Sequence, residues 1–257
     1  MASRLGDWRV KFRSVERYWP KVAAVIALAV AVIAATLIGL MRFNNEAPTE
    51  SGGPVRNTPG DVTPAAKAPL AVFIGDSYTA GTGSTGGASF VRVVADTQGW
   101  NFENLGEGGT GYLLNTDQDP KLARLGCGKD YCPNYPEVIA AAVEAEPDIV
   151  VVSGGRNNVT ASTDDLDAGI PAFFEQLRDA LPEATIYATS PLWDVTEPPE
   201  ELGRLADIVR ASVQSVGGTY LDLGQPLDDP GLLARDKIHP DNEGHLAIAD
   251  AINKKLR

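Results

Sequence analysis

The chain has 257 residues, 44% of them hydrophobic and 22% charged, with a net charge of −12 and only two histidines and two cysteines. Seven basic and two acidic side chains fall within residues 1–42, which leaves 15 basic and 32 acidic beyond them. So acidic a remainder repels nucleic acid and anionic polymers at long range, excluding a DNA- or RNA-binding role and favouring neutral or acylated partners.

Residues 22–41, VAAVIALAVAVIAATLIGLM, carry no charge. Twenty residues at about 1.5 Å each span about 30 Å, the thickness of a bilayer's hydrocarbon core, so one transmembrane helix is expected here. Arg4, Arg9, Lys11, Arg13, Arg17 and Lys21 precede the run and only Arg42 follows closely. That asymmetry makes 1–21 a cytoplasmic basic segment and places the rest outside the cytoplasm, on a single-pass membrane protein. A cleaved signal peptide fits less well, because the run exceeds an ordinary signal core and no small-x-small site follows. A buried core helix fits less well still, since the run has no amphipathic stripe. Residues 42–68 are rich in Pro, Gly, Asn and Ser without an apolar period, the composition of a flexible linker.

From Pro69 to Arg257 short apolar runs alternate with helical stretches. LAVFIG reads as a buried strand, SFVRVVADTQ as a helix and NFENLG as a second strand. Cys127 and Cys132 follow in RLGCGKDYCPNY, which reads as a surface loop closed outside the cytoplasm by a small disulfide; no second Cys or His pair stands at zinc-ligand spacing. PEVIAAAVEAE is helical and DIVVVSGG is a third strand. Ser162 and Asp165 form a capping box opening a helix through Leu181, and ATIYATS is the fourth strand. ELGRLADIVRASVQSV is helical, GTYLDL is the fifth strand, and NEGHLAIADAINKKLR closes the chain as a helix. Five strands separated by helices imply a parallel sheet covered on both faces, a three-layer α/β/α sandwich of the flavodoxin-like kind. In such sheets the working residues gather beyond the carboxyl ends of the strands.

Four segments, GDSYTAG, NLGEGGTG, SGGRNN and DKIHP, fall at those ends. A serine hydroxyl becomes a nucleophile when an imidazole takes its proton and a carboxylate fixes the imidazole's tautomer. Ser77, His239 and Asp236 supply that set. Ordered as they are, the four segments resemble the blocks of the SGNH (GDSL-type) hydrolases, over essentially the whole stretch from Pro69 to Arg257. The resemblance implies Ser77 as nucleophile, Asp236 and His239 as its partners, and an oxyanion hole made from the backbone N–H groups of Ser77 and Gly109 and the side-chain amide of Asn157. It further implies esterase or lipase-type hydrolysis of an acyl ester with no metal or organic cofactor, and the expected membrane anchor makes the substrate a lipid, glycan or other cell-envelope molecule. Some relatives with this domain pass the acyl group to a sugar hydroxyl, so an envelope acyltransferase is the alternative, and a non-catalytic envelope-ligand-binding domain is a third reading. The third block departs from the family's usual Gly-x-Asn-Asp, because Asn158 occupies the aspartate position.

Three further residues stand near these blocks. Trp193, after the fourth strand, lines an acyl or sugar pocket or packs beneath its loop. His245 reads as a packed or surface histidine of the last helix, and Asp76 as a hydrogen-bonding neighbour of the nucleophile. Protein partners have no sequence signature here.

Overall fold

The computed structural model describes residues 67–257 apart from Gln118 and Val195. The basic segment 1–21, the expected span 22–41 and all but the end of the 42–68 linker lie outside the described residues. Among the described residues, no helix is long and apolar enough to cross a membrane.

Five strands form one parallel sheet: β1 (Leu70–Gly75), β2 (Asn101–Gly106), β3 (Ile149–Ser153), β4 (Thr185–Thr189) and β5 (Thr219–Leu221), in the order β2-β1-β3-β4-β5. This is the flavodoxin-like strand order, with the reversal of winding between β1 and β3. Gly75 pairs with Gly106 on one side and Ser153 on the other, which aligns the carboxyl ends of the three strands that feed the site.

The helices are α1 (Ser77–Ala80), α2 (Phe90–Gln98), α3 (Pro120–Gly126), α4 (Ile139–Glu144), α5 (Thr163–Ala180), α6 (Glu200–Ser215) and α7 (Asn242–Lys255). Alternate residues of each central strand serve opposite layers. Val72, Ile74, Val150 and Val152 pack against α4, α5 and α6, including Phe173, Phe174 and Leu205. Ala71, Phe73, Ile149 and Val151 pack against α2 and α7, including Phe90, Val94, Ile248 and Ile252. Burial on both faces is why LAVFIG and IVVVS are continuous apolar runs instead of alternating ones.

Local chemistry sets the helix ends, at Ser162 and at the basic end of the last helix as expected and at Asp241 in addition. Ser162 accepts from the Asp165 N–H, Asp241 accepts from the Gly244 N–H, and Lys254 and Lys255 lie at the negative end of the α7 dipole. Two elements differ from the sequence reading. The expected helix 136–146 begins as a 3-10 turn, Pro136–Val138, before becoming α4. The stretch read as loop before Cys127 holds helix α3, capped by Asp119, whose carboxylate accepts from the N–H groups of Lys121 and Leu122.

Candidate active site

Ser77 begins α1 directly after β1, and the Asp76 carboxylate caps that helix by accepting from the Tyr78 N–H at 3.0 Å. The second segment turns after β2 and the third after β3. The fourth lies just before α7, in a loop closed by the Ala234 N–H donating to the His239 carbonyl at 2.8 Å and by a Leu233–Pro240 bridge. All four meet beyond the carboxyl ends of β1, β2 and β3, at the strand-order reversal where a parallel sheet opens a crevice.

The fourth segment reaches the first through His239. Its Nε2 lies 3.0 Å from the Ser77 hydroxyl and its Nδ1 lies 2.7 Å from Asp236 Oδ2. The other carboxylate oxygen of Asp236 accepts from the N–H groups of Ile238 and His239, each at 3.0 Å. Partial burial pushes the Asp236 pKa up. The His239 ring and these two backbone donors outweigh it and hold the carboxyl at about 2. Asp236 is therefore ionised at neutral pH, which favours a proton on Nδ1 and a free lone pair on Nε2 facing the serine. The turn is tight enough to hold Lys237 at φ 63°, a left-handed conformation uncommon outside glycine and asparagine.

Ser77, Gly109, Asn157 and His239 line one cleft of about 280 Å³. Gly109 has φ 78°, a conformation a side chain resists. The Asn157 amide donates one hydrogen to the Thr110 carbonyl at 2.8 Å and so pins the β2 turn against the β3 turn. Asn158 is buried, and its Oδ1 accepts from the Tyr112 N–H at 2.8 Å. The acceptor that an aspartate would offer is thus present without its charge.

Arg156 is the residue that motif reasoning missed, although it stands inside SGGRNN next to Asn157. It lines the cleft, and its guanidinium lies 4.9 Å from the Tyr78 ring and 4.5 Å from the Trp193 ring. It pairs with Asp194 at 3.0 Å and donates to the Tyr78 hydroxyl, which itself donates to the Ile238 carbonyl at 2.6 Å. Burial raises the Tyr78 pKa far above the ordinary phenol range, so the hydroxyl remains a donor. Burial also raises Asp194, but hydrogen bonds from Thr196 and Arg156 more than offset it and leave this carboxyl below its usual range. Trp193 is not among the residues lining the cleft; its ring covers Arg156, and its indole N–H donates to Thr196.

Asp76 is buried, and burial raises its pKa to about 6 against the lowering effects of the Tyr78 N–H, Arg156 and His239. His245 is fully buried; its Nδ1 accepts from the Phe90 N–H at 3.3 Å, and its Nε2 therefore donates to the Thr82 carbonyl at 3.2 Å. Burial lowers its pKa, so it is a neutral packing residue that ties α7 to α2 and to the Thr82 turn. Cys127 and Cys132 form a disulfide.

The sequence profile of the GDSL-like Lipase/Acylhydrolase family matches residues 73–247. A relative by sequence, the GDSL lipase Rv0518 of Mycobacterium tuberculosis, is 28% identical over 207 residues, covering 72% of this chain and 79% of the relative. Among solved structures, a family two carbohydrate esterase from Cellvibrio japonicus aligns with a TM-score of 0.55 at 18% identity, over 76% of this chain and 62% of that one. The salicylyl-acyltransferase SsfX3 of a tetracycline biosynthetic pathway aligns with a TM-score of 0.55 at 16% identity, over 75% of this chain and 55% of that one. At these identities the structural likeness concerns the fold.

Proposed function

Because the chain belongs to the GDSL-like lipase/acylhydrolase family, we propose that it hydrolyses acyl esters with Ser77 as nucleophile, His239 as general base and acid, and Asp236 as the group that orients the imidazole. The observation that carries this reading is the continuous Asp236–His239–Ser77 relay opening into a cleft that Gly109 and Asn157 share. The Ser77 oxygen attacks the ester carbonyl while its proton passes to His239 Nε2. The substrate oxygen becomes an oxyanion that takes hydrogen bonds from the Ser77 and Gly109 N–H groups and from the second hydrogen of the Asn157 amide. Collapse releases the alcohol with the proton from His239. Water, deprotonated by the same imidazole, then splits the acyl-serine to free acid and regenerates Ser77.

Leu122, Leu125 and Ile238 line the cleft yet remain exposed, an apolar border suited to the acyl portion. On this reading the substrate is an acyl ester of a lipid, glycan or other envelope molecule. The uncharged 22–41 run would tether the enzyme to a membrane with the catalytic domain outside the cytoplasm. A fluorophosphonate probe tests the nucleophile: it should label the wild-type chain and not Ser77→Ala, and equal labelling of both would reject the assignment.

The likeness to an acyltransferase fold motivates a second reading, in which a sugar hydroxyl replaces water as acceptor of the same acyl-serine. Product analysis with an activated ester, with and without candidate glycans, separates the two. Free acid as sole product in both supports hydrolysis.

A further inference from the structure

The turn that carries Gly109 abuts the end of α3, immediately before the disulfide-closed loop. Gly126, the last residue of α3, meets Gly108 backbone to backbone: a Cβ on Gly126 would lie 2.5 Å from the Gly108 carbonyl oxygen, and one on Gly108 would lie 2.1 Å from that of Gly126. Nothing larger than glycine fits either position without displacing one backbone from the other. Cys127 follows at once, and its N–H donates to the Ala123 carbonyl at 2.9 Å, closing the end of α3. The bridge leads to Cys132, which is fully buried and donates its N–H to Thr116 Oγ1 at 2.7 Å. Within the bridged loop, Lys129 pairs with Glu107, the residue before Gly108, and the Glu107 carboxylate lies within 4.8 Å of both sulfurs. On its other side the turn is held by Asn157 through Thr110.

We propose that the Cys127–Cys132 bridge is a positioning clamp for the oxyanion turn: through α3 and the Gly126–Gly108 contact it fixes the direction of the Gly109 N–H. The proposal rests on the oxyanion role assigned above to Gly109. Oxyanion donors act because they are oriented before charge develops, so a donor free to swing loses much of its effect. The Lys129 side chain is 61% exposed against 15% for Glu107, so solvent screens their pairing on the lysine side and the covalent bridge is the firmer part of the clamp. Closing so short a loop adds comparatively little to global stability. The clamp therefore affects turnover more than melting.

The test compares wild-type full chain, the C127S/C132S double variant and Gly126→Ala, which wedges the turn with the bridge intact. Removing an oxyanion donor outright costs about 10²–10³-fold in kcat, and loosening one should cost about tenfold. Both variants should therefore lose about tenfold in kcat on p-nitrophenyl acetate with KM within about twofold. Affinity for a trifluoromethyl ketone, whose serine adduct carries an oxyanion, should fall by a similar factor. Unchanged kcat in C127S/C132S overturns the clamp. If that variant does not fold, unchanged kcat and ketone affinity in Gly126→Ala overturn it instead. Absence of turnover by the wild type would remove the esterase reading and the clamp together, whereas wild-type turnover with unaltered variants removes the clamp alone.

Discussion

Tyr78→Phe removes one oxygen atom from beneath the catalytic turn and leaves the ring in place. That oxygen donates to the Ile238 carbonyl and accepts from Arg156, so it joins the β3 turn, the start of α1 and the Asp236–His239 turn. A neutral hydrogen bond contributes about 1 kcal/mol net, and a buried donor left without its acceptor costs about another 1 kcal/mol. Arg156 belongs in the second class, since its side chain is only 11% exposed, although Asp194 and the two rings still hold it. The Ile238 carbonyl loses its donor at a part-buried position, which is the other share of the cost. The expected destabilisation is about 2 kcal/mol, or a Tm lower by about 4–8 °C for a domain of this size. Because Ile238 adjoins His239, kcat should also fall several-fold, given that misplacing a reacting group by about 1 Å costs about 10²-fold.

Thermal unfolding by circular dichroism and p-nitrophenyl ester kinetics on the same preparations measure both effects. A double-mutant cycle with Arg156→Met should show non-additivity of about 1 kcal/mol, because the two changes remove one shared contact. Tm within 1 °C of wild type, together with unchanged kcat, would refute the claim that this hydroxyl supports the turn.

Asp236→Asn should lower kcat by about 10⁴-fold with little change in KM, because an amide oxygen cannot stabilise the imidazolium that forms; ester kinetics at neutral pH measure it. Asn157→Ala should lower kcat by about 10²–10³-fold, and a further loss of stability is expected because the Thr110 carbonyl loses its donor; single-turnover kinetics and melting separate the two effects. Asp76→Asn should stabilise the fold in a pH-dependent manner. With its folded pKa raised to about 6, protonated Asp76 favours the folded state fully below pH about 4, and that contribution is lost as pH rises through about 6. Relative to wild type, the asparagine variant should therefore gain stability between pH about 4 and 6 and keep it above, by up to roughly 3 kcal/mol at 1.36 kcal/mol per pKa unit. Denaturant titrations at pH 4 and pH 7 check this, and equal differences at both would sink it.

The sheet was legible because its central strands are buried on both faces, so LAVFIG and IVVVS are unbroken apolar runs separated by helical periods. Asp236 was legible as the partner of His239 because the two stand three residues apart, whereas Gly109 and Asn157 entered only through the resemblance of the ordered segments to a family. Helix α3 was not legible by periodicity, since seven residues give barely two turns. Asp119 followed by Pro120 is nevertheless the N-cap and first-position pair that marks a helix start.

What was out of reach are the interactions whose partners lie far apart in the chain. Arg156 acquires its rings from residues 78 and 193, and no window of sequence contains all three. The same distance explains Asn158. Judged by its own block, it is the loss of a carboxylate. Its actual partner is the Tyr112 N–H, 46 residues away, and that donor needs only a lone pair. An aspartate there would supply the same acceptor while placing a charge at a position only 2% exposed, in a domain that already buries the Asp76 carboxyl. Burying a second carboxylate, with a single backbone donor to satisfy it, would carry a desolvation cost that the neutral amide avoids. The amide therefore holds the turn that leads from Gly109 to Tyr112 without adding to the negative charge already buried beneath Ser77.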